Sequence, residues 1–119
     1  MATDAPSGSP DQSTDDPVHV DGEAHLEGLV ADHDVVLVDF YADWCGPCKM
    51  LSPVLDQLAA ETDALVAKVD VDDHQLLAGE YGVRGVPTLV LFAGGEQVEQ
   101  HTGVLPAERL QRMIEGYTE

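Results

Sequence analysis

The sequence predicts an α/β domain, a mixed five-stranded sheet with helices on both faces. Three observations carry that expectation. Val35 to Tyr41 and Ala64 to Val71 are near-continuous apolar runs, the pattern of strands covered on both sheet faces. Segments with apolar residues at helical spacing separate and follow them. Near the C-terminus two strand-like runs flank Ala93-Gly94-Gly95-Glu96, a hairpin signal. Parallel units joined by right-handed crossovers and closed by a hairpin make a mixed sheet. A chain of 119 residues with 44% hydrophobic residues is one domain, large enough for a core of its own.

Residues 1–17 are Ala, Thr, Ser, Gly, Pro and Asp with no hydrophobic period, and the expectation is a disordered acidic extension ahead of a domain at 18–119. Val18-His19-Val20 is a short strand. Asp21 is placed to cap a helix that carries Leu26, Leu29 and Val30 on one face and is weakened by Gly28. The Val35–Tyr41 strand follows, interrupted by Asp39. The next helix has Met50, Leu51, Val54, Leu55 and Leu58 on its core face, and Pro53 inside it should kink it. The Ala64–Val71 strand is broken by a single charge, Lys68. His74 to Tyr81 is a short helix stopped by Gly82. Thr88 to Phe92 and Gln97 to His101 make the hairpin. Pro106 opens a last helix with Leu110, Met113, Ile114 and Tyr117 toward the core. The order is β-α-β-α-β-α-β-β-α, without a repeat.

Between the second strand and the helix after it stands Trp44-Cys45-Gly46-Pro47-Cys48, which holds the only two cysteines. Residues three apart on a helix have Cβ atoms roughly 5–6 Å apart, and a disulfide spans Cα separations of about 4.4–6.8 Å. A slightly tightened first turn can therefore close Cys45 onto Cys48 or let them part, which makes the pair a switch rather than a staple. Pro47 suits a first turn, where its missing N–H would be unpaired in any case. The partial positive charge of a helix N-terminus favours a thiolate on the first cysteine. Open α/β sheets place their sites at the C-terminal ends of central strands, where this loop falls.

Trp-Cys-Gly-Pro-Cys-Lys, with Val38-Asp39-Phe40 before it and Gly85-Val86-Pro87-Thr88 after it, closely resembles the thioredoxin family, from about Val18 to the C-terminus. The acidity resembles family members of salt-loving organisms. The resemblance implies a thioredoxin fold and a protein-disulfide reductase. Cys45 attacks the substrate disulfide as thiolate. Cys48 resolves the mixed disulfide. Asp39 takes the proton from Cys48, paired with and tuned by Lys68, which by position resembles the family lysine beside the buried aspartate. It implies further that Pro87 is cis and lies against the disulfide, and that Gly103 lies beside the groove. Trp44, Gly46, Pro47, Gly85, Val86, Pro87 and Gly103 then form the surface on which an extended substrate lies, with the Val86 backbone as its hydrogen-bonding partner. No cofactor beyond the Cys45–Cys48 disulfide is implied. Partners would be a thioredoxin reductase and disulfide-containing clients, and a monomer is expected. Gly-Pro between the cysteines resembles the reducing members, for which the family is itself the reference case at about −270 mV, against about −120 mV for the strongest oxidant. A disulfide donor or isomerase, or a non-enzymatic partner subunit of the same fold, is the alternative. Tyr41 departs from the family, many members of which carry a second tryptophan there.

The residues also bear on what the protein does not do. The 23 acidic residues against 5 basic ones leave a net charge of −18. Residues 1–21 hold five acids and no base, so the other 98 residues carry 18 acids and 5 bases, net −13. Such a surface repels nucleic acid and anionic membranes, and with so little lysine it reads as that of a protein from a high-salt cytoplasm. One cysteine pair supplies two of the four ligands of a structural zinc site, and the histidines at 19, 25, 33, 74 and 101 form no His-x-x-x-His pair. Lys49 stands where haem attachment needs histidine. No signal-peptide pattern or membrane-length apolar stretch is seen, so a cytoplasmic setting is expected.

Overall fold

The computed structural model describes residues 15–118. The expectation of a disordered extension falls largely on residues 1–14, outside the described residues. The elements run β1 (Val18–His19), α1 (Glu23–Asp32), β2 (Val35–Tyr41), α2 (Gly46–Glu61), β3 (Leu65–Asp70), α3 (Gln75–Glu80), β4 (Thr88–Ala93), β5 (Glu96–Thr102) and α4 (Ala107–Glu115). The sheet order is β1-β3-β2-β4-β5. β1, β3 and β2 are parallel, while β4 runs antiparallel to both β2 and β5. This is the five-stranded mixed sheet the alternation of patterns predicts.

Two apolar cores lie on opposite faces of that sheet. Val36, Val38 and Phe40 of β2 join Leu65, Ala67 and Val69 of β3 beneath α1 and α3. Val35 and Leu37 of β2, Val66 of β3 and Leu89 and Leu91 of β4 pack instead under α2 and α4. Strand side chains alternate faces, so Asp39 and Tyr41 follow Leu37 toward α2, as Lys68 follows Val66. The runs look continuous in sequence because both faces are covered.

Several local expectations need correction. The residue preceding α1 in the capping position is Gly22, without a side-chain cap. Asp21 stands one residue too early, and its backbone N–H donates to His25 Nδ1 at 2.9 Å. Met50 is 74% exposed. The buried stripe of α2 is Cys48, Leu51, Leu55, Leu58 and Ala59, and Met50 lies a helical step of about 100° off it. Pro53 does fall inside α2 (Gly46–Glu61), as expected. Tyr117 lies beyond the end of α4 and is exposed, and its hydroxyl donates to Glu99 Oε2 at 2.8 Å. The hairpin is tighter than expected. Its loop is Gly94-Gly95 alone, with φ of 61° and 84°, the left-handed pair that a two-residue type I′ turn demands.

Candidate active site

β2 ends at Tyr41, and after four residues the chain turns into α2. Cys45 occupies the capping position of that helix. Its Sγ accepts a hydrogen bond from the Cys48 N–H at 3.1 Å, the service an oxygen side chain usually performs at this position. A free N–H aimed at sulfur, added to the positive end of a 16-residue helix, favours a thiolate on Cys45 whenever the disulfide opens. Cys45 and Cys48 are joined in a disulfide with Cα atoms 5.3 Å apart, within the span the spacing allows. With Ala42 they form a small cluster bordered by Tyr41, Val71 and Val86.

The opposite wall comes from the loop before β4. The Val86–Pro87 peptide is cis, and the Val86 carbonyl oxygen lies 3.7 Å from Cys45 Sγ. Thr88, fully buried, ties this loop down. Its Oγ1 donates to the Gly85 carbonyl at 2.7 Å and lies 3.2 Å from Thr102 Oγ1. Gly103 (φ 110°) donates its N–H to the Pro87 carbonyl at 2.8 Å; the left-handed backbone there disfavours any residue with a Cβ. Trp44 is 69% exposed, with its indole N–H donating to Asp72 Oδ2 at 2.9 Å. Val86 thus lies against Cys45, with Gly85 and Gly103 tied to its loop, while Trp44 precedes Cys45 in the chain and Gly46 and Pro47 open α2.

Asp39 lies on β2, two residues before Tyr41 and on the same sheet face. It is completely buried, and neither carboxylate oxygen has a hydrogen-bond partner. Desolvation pushes its pKa up from 3.8 to about 7, against a smaller lowering by the Lys68 charge. Lys68 is its neighbour across β2 and β3. The expected direct pairing needs correction: the Lys68 ammonium donates to Ser52 Oγ at 3.4 Å and sits 4.9 Å from the centre of the Tyr41 ring. Its charge reaches Asp39 through space, without a hydrogen bond. The mostly apolar strand face leaves no donor for the carboxylate.

The comparisons with known proteins agree with this geometry. The thioredoxin family model matches residues 17–116. Thioredoxin of Bacillus subtilis (strain 168) is 51% identical over 82 residues, covering 67% of this chain and 79% of that protein. Thioredoxin of Chlorobaculum thiosulfatiphilum is 45% identical over 96 residues, 78% and 89% of the two chains. Among solved structures, a mutant thioredoxin from Halobacterium salinarum NRC-1 superposes with a TM-score of 0.88 at 60% identity, over 90% of this chain and 95% of that one. The chain belongs to the thioredoxin family. Its fold is the thioredoxin fold, and its activity is thiol–disulfide oxidoreduction, the reduction of protein disulfides.

Reading the sequence as a thioredoxin singles out the two sulfurs, the loops around them and the aspartate on β2, but it misses three side chains. Ser52 and Asp72 each hold a side chain of the site, and Thr88 holds its loop. Helical spacing could have found Ser52, four residues after Cys48 and so on the same helix face. Asp72 stands in an Asp70–Asp73 run where nothing local distinguishes one acid from the next.

Proposed function

We propose that this protein reduces disulfides of client proteins in a salt-rich cytoplasm, with Cys45 as attacking thiolate and Cys48 as resolving thiol. The observation that carries the division of labour is the Cys48 N–H donating to Cys45 Sγ at the start of α2: the helix-start sulfur alone has both a donor and the positive helix end. Cys45 thiolate attacks one sulfur of the client disulfide, the other client sulfur leaves as thiolate, and a mixed disulfide forms. Cys48 then gives up its proton and attacks Cys45 sulfur. The second client sulfur leaves, so the client gains two electrons and the protein regains the Cys45–Cys48 disulfide. A thioredoxin reductase is the partner that returns those electrons.

Asp39 is the acceptor for the Cys48 proton. A carboxylate with a pKa of about 7 is matched to proton transfer near neutrality, and its burial on the sheet face beneath α2 keeps it from bulk water. Trp44, Gly46, Pro47, Gly85, Val86, Pro87 and Gly103 receive an extended client segment, with the Val86 backbone bonding to it as an added strand would. The high-salt setting rests on net −13 over 98 residues and on the likeness to the Halobacterium salinarum thioredoxin.

Two variants test the roles of the thiols. Cys45→Ser abolishes insulin reduction and forms no adduct. Cys48→Ser accumulates a covalent mixed disulfide through Cys45, seen as a mass increase that dithiothreitol reverses. An adduct on Cys45→Ser, or free release of client by Cys48→Ser, would reverse the assignment.

A further inference from the structure

No protein group hydrogen-bonds the Asp39 carboxyl, and desolvation, opposed by the Lys68 charge, sets how readily it holds a proton. The titratable groups on its sheet face are Tyr41 on β2 and Lys68 and Asp70 on β3; α2, which packs over that face, carries Cys48 near its start, and its Lys49 and Asp56 are exposed. β4 offers Leu89, and the charged residues of α4 (Glu108, Arg109, Arg112 and Glu115) are exposed. Lys68 is therefore the cation that matters, and where its ammonium rests decides its effect. In direct contact it would make Asp39 a salt-bridged carboxylate, a poor base at neutral pH. Released into water it would leave Asp39 protonated there.

The ammonium does neither. It donates to Ser52 Oγ at 3.4 Å and lies over the Tyr41 ring at 4.9 Å. Both contacts attract a cation while leaving its charge whole. Both are also anchored to the redox site. Ser52 is one helical turn beyond Cys48, and Tyr41 borders the cluster that contains Cys45 and Cys48. We propose that Ser52 and Tyr41 are positioning residues that hold the Lys68 ammonium near Asp39 without contact, and so set how tightly Asp39 binds its proton. The inference rests on Asp39 being the base of the proposed cycle, and its test is readable without turnover.

The measurement is the carboxyl carbon NMR titration of Asp39 in the oxidised protein, where no thiol titrates. Ser52→Ala raises its midpoint by about half a pH unit or more, the direction expected when a nearby cation loosens. Ser52→Thr keeps the acceptor and restores the midpoint. Lys68→Met raises the midpoint at least as far, and Ser52→Ala then adds nothing in that background, the signature of two residues acting as one unit. In the reduced protein, Ser52→Ala slows resolution roughly threefold at pH 6 and leaves it unchanged above pH 8, because a half-unit rise in pKa costs ionised base on the acid side alone. An unchanged or lowered midpoint in Ser52→Ala, or an equal rise in the Lys68→Met background, overturns the proposal. A shifted midpoint together with a turnover profile that Asp39→Asn leaves intact would sink the base assignment and uphold the positioning.

Discussion

On one face of the sheet, Val36, Val38 and Phe40 of β2 lie beside Leu65, Ala67 and Val69 of β3, with no polar side chain among them. On the other face the same two strands begin alike, with Val35, Leu37 and Val66, and then present Asp39 and Lys68 toward the end nearest the disulfide. Phe40 and Asp39 are adjacent in sequence and both are fully buried, although Lys68 and Tyr41 beside Asp39 are only half-buried. The first face gains from burial, because apolar area leaves water. The second loses, because a carboxyl without partners has been desolvated. What differs is the helix overhead. α1 and α3 bring only packing, whereas α2 brings Cys45, Cys48 and Ser52. The buried carboxyl thus sits on the face covered by the helix that starts at the disulfide.

The largest effect breaks the apolar face. Phe40→Ala removes a fully buried ring that meets Tyr81 at 5.7 Å between centroids and should destabilise the protein by about 3–5 kcal/mol. Urea denaturation reads this as a lower midpoint with little change in slope. The active-site sulfurs lie across the sheet, so the residual folded fraction should reduce insulin at nearly the normal specific rate. A loss of rate beyond the loss of folded protein would mean that the two faces are not separable.

Asp39→Asn should act in the opposite sense. The folded state binds the Asp39 proton more tightly than the unfolded one, with a pKa of about 7 against 3.8. Between those values folded protein carries more protons, so stability falls as pH rises from about 4 to 7 and levels off above. At about 1.4 kcal/mol per pH unit the full difference is roughly 4 kcal/mol. The variant lacks this loss. It should match the natural protein near pH 4 and exceed it by up to that amount at pH 8, while reducing disulfides more slowly near neutrality. Denaturation curves that stay equal at pH 8 would show that Asp39 is not held at a cost.

The same contrast explains what could be read from the sequence. Two-sided burial makes apolar runs, so β2 and β3 were legible as central strands, and a single charge inside each run pointed to Asp39 and Lys68. The cysteine pair at a strand-to-helix junction was legible from spacing and from family resemblance together. The relation between Asp39 and Lys68 was not. Adjacent opposite charges suggest a pair, and only the fold shows Ser52 and Tyr41 drawing the ammonium away. Met50 and Tyr117 misled for another reason. An apolar residue one step outside a helix stripe, or just past a helix end, looks like core until the stripe is fixed by packing. The capping residue before α1 slipped by one position, as helix ends commonly do.

The smallest effect sharpens the contrast between interior and exterior. The core is ordinary, but the surface around the redox site is crowded with acids. Desolvation and then the charges of Asp70, Asp43, buried Asp39 and Asp73 push the Tyr41 phenol up, and elsewhere on the surface Glu80 pushes the Glu23 carboxyl up, chiefly through a hydrogen bond. Repulsion between like charges on an exposed surface acts through water and is weakened by salt. The Debye length falls from about 30 Å at 0.01 M salt to about 3 Å at 1 M. Raising KCl through tenths of molar should therefore raise the unfolding temperature by several degrees, with any further gain at molar salt coming from ion exclusion. A variant with several exposed acids changed to lysine, for example Asp56→Lys, Glu61→Lys and Asp63→Lys, should lose most of the low-salt rise and keep the molar one. Phe40→Ala should keep both, displaced to lower temperature, because the apolar face does not sense screening. If the natural protein unfolds at the same temperature in dilute buffer and in molar KCl, its surface charge is not a cost that salt removes, and the high-salt setting loses its physical basis while the thiol chemistry stands.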